Sequence, residues 1–224
     1  FLYFPSFLAA LPTLSHTIMK RLYFDTETTG FPARTAAPLE ECPHIVQLAA
    51  LLIDDTWGEV ASMNVIIRPD GWTIPDYVAA IHGITNWHGE TFGVTIHSAL
   101  SLFTQMANQS SQIVAHNISF DMKLMCYEIE RLGVESHCGF IATERACTMA
   151  LTTDLCRLPG KYPGKYKWPK LIEAYRHLFD EDFDGQHDAL ADVRACARIH
   201  QHLIQSETKQ LATSGASVHP KGPA

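Results

Sequence analysis

The sequence predicts an α/β fold in which a mixed β-sheet, antiparallel at first and parallel afterwards, is flanked by α-helices. Three observations predict it. Three strand-like runs joined by short turns fill residues 21–68, the pattern of an antiparallel meander. The hydrophobic period then changes from that of a strand to that of a helix. From there helices alternate with a short buried strand, which places helices on the faces of the sheet.

The elements follow in order. Residues 1–18 read as an apolar leader, too short to span a bilayer, interrupted by Pro5 and Pro12, and lacking a basic segment of the signal-peptide kind. Met19 stands directly before the first strand. The expectation is that translation starts there and that the leader is not native. Arg21–Phe24 is the first strand and Ile45–Ile53 the second, followed by a turn at residues 54–58. Ala61–Arg68 is the third, ending at Pro69-Asp70-Gly71. Ile96, Leu100, Phe103 and Ala107 mark one face of a helix. Gln112–Ala115 is a short buried strand. Met122, Met125, Ile129 and Leu132 mark the next helix, with Gly133 as its stop. Pro169 suits the first turn of another, with Leu171, Ile172, Tyr175, Leu178 and Phe179 facing inward. The last helix runs from about Asp188 to Ile204, and residues 206–224 read as a disordered, solvated tail. Residues 19–205 thus form one domain, without internal repeats.

Composition excludes several classes. Hydrophobic residues make up 46% and charged residues 18%, so the chain is neither disordered nor fibrous. The net charge of −7 gives no general attraction to nucleic acid, so any such partner must be held by local basic residues or by bound metal. The six cysteines show no C-x-x-C pair and the twelve histidines no H-E-x-x-H spacing, which argues against a zinc centre. The cysteines read as reduced, buried thiols of a cytoplasmic protein that does not engage a membrane.

Four acids stand where acids are unfavourable. Asp25 and Glu27 follow the apolar run Leu22-Tyr23-Phe24 and, two residues apart on an extended chain, share a face. Two like charges side by side need a cation between them, unless both simply reach solvent at the strand end. Asp121 opens a helix after the strand Gln112–Ala115, where the dipole favours an acid and where Asn117 or Ser119 can cap. Asp192 lies on a helix among Ala189, Leu190, Ala191, Val193 and Ala195, five residues after His187. Asp188 is the better N-cap for that helix and stays outside the candidate site.

Taken together, Phe24-Asp-Thr-Glu-Thr-Thr-Gly30, His116-Asn-Ile-Ser-Phe-Asp121 and His187-Asp-Ala-Leu-Ala-Asp192 resemble the three motifs of the DEDDh (DnaQ-like) 3′→5′ exonucleases. That family includes the proofreading epsilon subunit of DNA polymerase III and RNase T. Ile81-His-Gly-Ile-Thr85 is similar to a further recurrent segment, in which His82 reads as a loop-fixing residue. The resemblance spans residues 21–203. It implies a ribonuclease-H-like fold and a phosphodiester hydrolase using two Mg²⁺ or Mn²⁺ ions per site. Asp25, Glu27, Asp121 and Asp192 would be the metal ligands and His187 the general base. Thr26, Thr28, Thr29, Asn117 and Phe120 would contact the substrate, Phe120 being equally well explained by core packing. The implied partner is a single-stranded 3′ end of DNA, shortened with release of 5′-nucleoside monophosphates in proofreading or repair, alongside a DNA polymerase subunit. The alternatives are an RNA-trimming member of the same family and a non-catalytic scaffolding domain of a replication complex.

One stretch stands against the acidic total. Arg157, Lys161, Lys165, Lys167, Lys170 and Arg176 have only Glu173 among them as an acid, and Gly160, Pro159, Pro163 and Gly164 make the first part a loop. It reads either as a solvated lysine loop or as a phosphate-tracking loop with Trp168 available to stack.

Overall fold

The run from Ile45 to Ile53 is apolar on both alternations except at Gln47, so it requires cover on both faces. In a computed structural model of the chain, which describes residues 19–32, 37–133, 140 and 143–214, it receives that cover. Every residue of this run is buried in β2 (Ile45–Asp54). β2 pairs antiparallel with β1 (Lys20–Thr28) on one side and with β3 (Glu59–Ile66) on the other. β1 pairs parallel with β4 (Gln112–Ala115), and β4 with β5 (Glu144–Cys147). The sheet is therefore mixed, in the order β3-β2-β1-β4-β5.

The helices are α1 (Asp76–His82), α2 (Asn86–Phe92), α3 (Ile96–Ala107), α4 (Ile118–Leu132), α5 (Thr148–Cys156), α6 (Leu171–Phe179) and α7 (Ala189–Ser214). Side-chain alternation along β1 divides the core in two. Leu22 and Phe24 face α3 and α4, packing with Leu100, Phe103, Met122 and Met125. Tyr23 faces the other way, into a cluster with Leu51, Val114, Ala189, Val193 and Cys196 under α7. No helix among the described residues is long and apolar enough to cross a membrane.

Several expectations need correction. The first strand does not stop at Phe24; it continues through Asp25 to Thr28, because the backbone ladder with Ala49, Leu48 and Gln47 holds polar residues as well as apolar ones. The third strand spans Glu59–Ile66 rather than Ala61–Arg68, and Ile67 leaves it to bridge Val94. Pro169 lies before α6, ahead of the N-cap Lys170, and not in the first turn. The last helix does not end near Ile204, and residues 206–214 of the expected tail are helical, because α7 continues to Ser214. Residues 1–18 and 215–224 lie outside the described residues. α1, α2, α5 and β5 had no counterpart in the sequence reading. The first two span seven residues each, too few to display a helical stripe, and β5 reads Glu-Arg-Ala-Cys.

Candidate active site

β1 and β4 run parallel, and a crevice beyond the carboxyl ends of such strands is the usual ligand site of an α/β sheet. Their pairing ends at Tyr23–Val114, so β1 continues past it, with Asp25 two residues beyond the last pair on β1 and His116 two residues beyond it on the β4 side. Asp25 and Glu27 share the Tyr23 face and point toward the start of α7. Asp192 sits in the first turn of α7, and Asp121 in the first turn of α4. Ligand atoms of Glu27, His187 and Asp192 all lie within 4.8 Å of one another.

Each side chain is held by specific partners. Asp121 is 2% exposed, and its Oδ1 accepts from both the Thr26 N–H at 3.1 Å and the Thr26 hydroxyl at 2.8 Å. Asp192 Oδ2 accepts the backbone N–H of His187 at 3.2 Å, which ties the histidine to the helix behind it. Asp188 caps α7 as expected, its Oδ1 accepting from Leu190 and Ala191 N–H. Asn117 and His187 both have φ of 67°, the left-handed region that few non-glycine residues adopt. Each is the turn that aims the following helix at the crevice.

The electrostatics are unbalanced. Burial raises Asp25 well above the usual carboxylate range, and the charges of Asp121, Asp192, Glu27 and Asp188 raise it further. Burial, followed by Asp192, Asp121 and Asp188, pushes Glu27 to about 8. Asp121 rises to about 7 through burial, against the two Thr26 hydrogen bonds that pull it down. Asp192 rises to about 6, again through burial, opposed by the His187 N–H. None of the ion pairs among the described residues involves these four acids. A converging set of hard oxygen donors with no protein cation fits a divalent ion of the Mg²⁺ or Mn²⁺ kind, and suits thiophilic metals poorly.

The expected substrate residues are placed less uniformly. Thr26 spends both its donors on Asp121. The Thr28 hydroxyl donates to Gly30 O, and the Thr29 hydroxyl accepts from His44 N–H. The Thr26 and Thr28 hydroxyls thus donate within the protein, while the Thr29 hydroxyl acts there as an acceptor. Phe120 is half-buried: it packs on the α3–α4 core, and its ring meets that of Phe31, 86% exposed, at 5.8 Å edge to face. His82 fixes its loop by accepting Ile84 N–H at Nδ1, and His187 lies near enough to depress its pKa further after burial.

One positioning residue was missed. Gln47, 5% exposed, accepts the N–H of Ala189 and donates to Asp188, so it pins the start of α7 to the middle of the sheet. Its signal was a single amide in an otherwise apolar strand.

Comparison with known proteins shows the family. A family model described as an exonuclease, RNase_T, matches residues 22–200. The uncharacterized exonuclease CP81 of Escherichia phage 186 is 32% identical over 83% of this chain and 88% of its own. The epsilon subunit of DNA polymerase III from Pasteurella multocida is 24% identical over 84% of this chain and 70% of its own. Among solved structures, E. coli exonuclease I in complex with a dT13 oligonucleotide superposes with a TM-score of 0.67 at 17% identity, over 88% of this chain. The chain spans only 43% of exonuclease I, and at that identity the likeness concerns the fold.

Proposed function

The chain belongs to the RNase_T exonuclease family, and from that premise we propose that it is a 3′→5′ exonuclease of the DEDDh type that trims the single-stranded 3′ end of DNA to 5′-nucleoside monophosphates. The observation that carries the reading is the convergence of Glu27, His187 and Asp192 within 4.8 Å of one another, with Asp25 and Asp121 near enough for the acids' charges to act on one another and no ion pair at any of the four acids among the described residues.

Asp25, Glu27, Asp121 and Asp192 are the residues that would hold two divalent ions, Mg²⁺ or Mn²⁺, and the chemistry such ions would supply is activation of water and charge neutralisation at the phosphate. His187 sits on the solvent side of Glu27 and Asp192, exposed and steered by its own N–H to Asp192. Its imidazole takes the proton of the attacking water, a task for which that side chain is suited near neutral pH. Thr26 holds Asp121 in the orientation a ligand needs. With the Thr26 and Thr28 hydroxyls donating within the protein, contact with the terminal nucleotide falls to the backbone of residues 26–29, the Thr29 hydroxyl and Asn117, and Phe120 with Phe31 offers an aromatic edge to its base.

DNA as substrate is supported by the epsilon relative, named as a subunit of DNA polymerase III, and by the dT13 complex of exonuclease I. The same relative supports a proofreading or repair role beside a polymerase subunit. The free thiols of Cys42, Cys147, Cys156 and Cys196 suit the cytoplasm.

The test uses 5′-labelled single-stranded DNA and RNA of one sequence, with Mg²⁺ or EDTA. The expected result is a ladder shortened from the 3′ end of DNA, absent in EDTA and in Asp25→Ala. His187→Ala should retain about 10⁻² to 10⁻⁴ of the rate. RNA trimmed faster than DNA would reassign the substrate. A folded, metal-loaded protein that cleaves neither would leave the scaffolding alternative.

A further inference from the structure

We propose that residues 158–168 form a guide for the single strand, tracking backbone phosphates with Lys161 and Lys165 and stacking a base on Trp168. The proposal rests on the exonuclease reading and adds a second binding element outside the carboxylate crevice.

The segment is folded. Gly160 N–H donates to Lys165 O at 2.9 Å, Lys165 N–H to Tyr162 O and Lys167 N–H to Leu158 O, and Pro159 bridges Tyr166. It is a small hairpin, and Gly160 is required in it: a Cβ there would lie 2.4 Å from Lys165 O. Residues 161–168 are all exposed, including Tyr162 at 66%, Tyr166 at 44% and Trp168 at 71%. Three aromatic rings left in water within seven residues contribute little to the core, and exposed aromatics clustered in this way mark a contact surface.

The charges point to the occupant. Residues 157–170 carry Arg157, Lys161, Lys165, Lys167 and Lys170 and no acid, in a chain of net charge −7. Lys167 is taken by Glu173 at 2.6 Å. Lys161 lies 5.7 Å from the Tyr162 ring centroid and, like Lys165, stands in solvent. Cations of one sign interleaved with exposed rings match a phosphate backbone whose bases can stack, more closely than they match a protein face, where lysine is depleted.

The hairpin is also anchored at the right end of the molecule. Pro169, buried directly after Trp168, accepts a hydrogen bond at its carbonyl from His116 Nε2 at 3.0 Å. The carbonyl can only accept, so that nitrogen carries the proton and Nδ1 accepts from the Thr148 hydroxyl at 2.9 Å. His116 immediately precedes Asn117 and directly follows β4, two residues past the last β1–β4 pair, as Asp25 is on β1. Leu171, two residues beyond Pro169, packs against the cluster of Val114, Ala189 and Val193 at the start of α7. Two independent contacts therefore hold the foot of the hairpin against the strand end and the helix that carry the acids.

Binding is measured on the full chain in an Asp25→Asn background, with Mg²⁺, using a fluorescein-labelled oligo-dT of about 20 nucleotides, longer than a typical single-strand site. Lys161→Ala with Lys165→Ala should weaken binding about tenfold and flatten the slope of log K against log salt by about 1.4, near 0.7 per lost cation. Lys161→Arg with Lys165→Arg should restore the slope. Trp168→Ala should weaken binding on the order of tenfold and leave the slope unchanged. Alanine and arginine pairs that bind equally poorly would overturn the proposal, because charge would not be the cause. Variants that bind like the parent, while the chain with Asp25 intact trims the same strand, would also overturn it and leave the hairpin as a protein-facing surface. A chain with Asp25 intact that neither binds nor trims the strand would refute the DNA-trimming reading, and the guide with it.

Discussion

Two buried acids stand near the two ends of α4, and they are built on opposite principles. Glu128 on α4 is 3% exposed, and its Oε1 accepts from Arg131 at 2.9 Å, His44 Nδ1 at 3.2 Å and Ile45 N–H at 3.1 Å. Arg131 in turn donates to the carbonyls of Leu39, Cys42 and Pro43, so the carboxylate organises a loop. Asp121, on the same helix and equally buried, has two donors from Thr26 but only acids as charged neighbours. One acid is complete within the protein; the other belongs to a group completed only by something added. A buried acid with its own cation is a structural joint, and a group of partly or fully buried acids without one is where a cation is proposed to bind.

Asp25→Asn should separate the two most sharply. It removes a ligand, and activity in Mg²⁺ should fall roughly 10³-fold or more, the equivalent of several kcal/mol of transition-state stabilisation. Yet it also removes like-charge repulsion, so the melting temperature in EDTA should rise. A fall in that temperature would break the comparison. Glu128→Ala should do the reverse: a loss of about 3 kcal/mol in denaturant unfolding, from stranding Arg131, with kcat near that of the parent.

The third prediction concerns pH. The folded-state values for Asp192, Asp121 and Glu27, about 6, 7 and 8, lie above those of free carboxylates near 4. Between pH 4 and 8 the folded protein therefore holds these protons more tightly than the unfolded chain. In EDTA this contribution favours folding at the acid end and is lost as pH rises through that window. Mg²⁺ should remove the loss, so melting temperatures with and without it should diverge from pH 5 to 8.5. Parallel curves would contradict the assignment of these acids as ligands. The smallest effect is expected of Gln47→Leu, which unpins α7 and should lower stability by about 1–2 kcal/mol in chemical unfolding. Because it loosens His187 and Asp192 together, the apparent Mg²⁺ affinity should fall as well. Unchanged Mg²⁺ affinity would limit Gln47 to a packing role.

Much of the fold was legible in the sequence because its signals are local. β2 and β4 read as apolar runs, α3 and α4 as stripes, and Gly133 as a stop, with its φ of 62° at the end of α4. The elements that went unread were short, as α1 and α2, or polar, as β5. The extension of β1 through Asp25 and Glu27 was missed because the residues that make the site are those that propensity assigns to a strand end.

The sequence by itself determined which acids and which histidine are candidates, since their types and spacings are properties of the chain. Only the tertiary structure decided that Thr26 spends its hydroxyl on Asp121, ninety-five residues away, that Gln47 anchors Ala189, and that Pro169 rests on His116. The reason is physical. Hydrophobic period and capping act over one or two turns of chain, whereas a buried hydrogen bond is satisfied by whatever donor the packed elements bring within about 3 Å, and that proximity exists only once the sheet has closed.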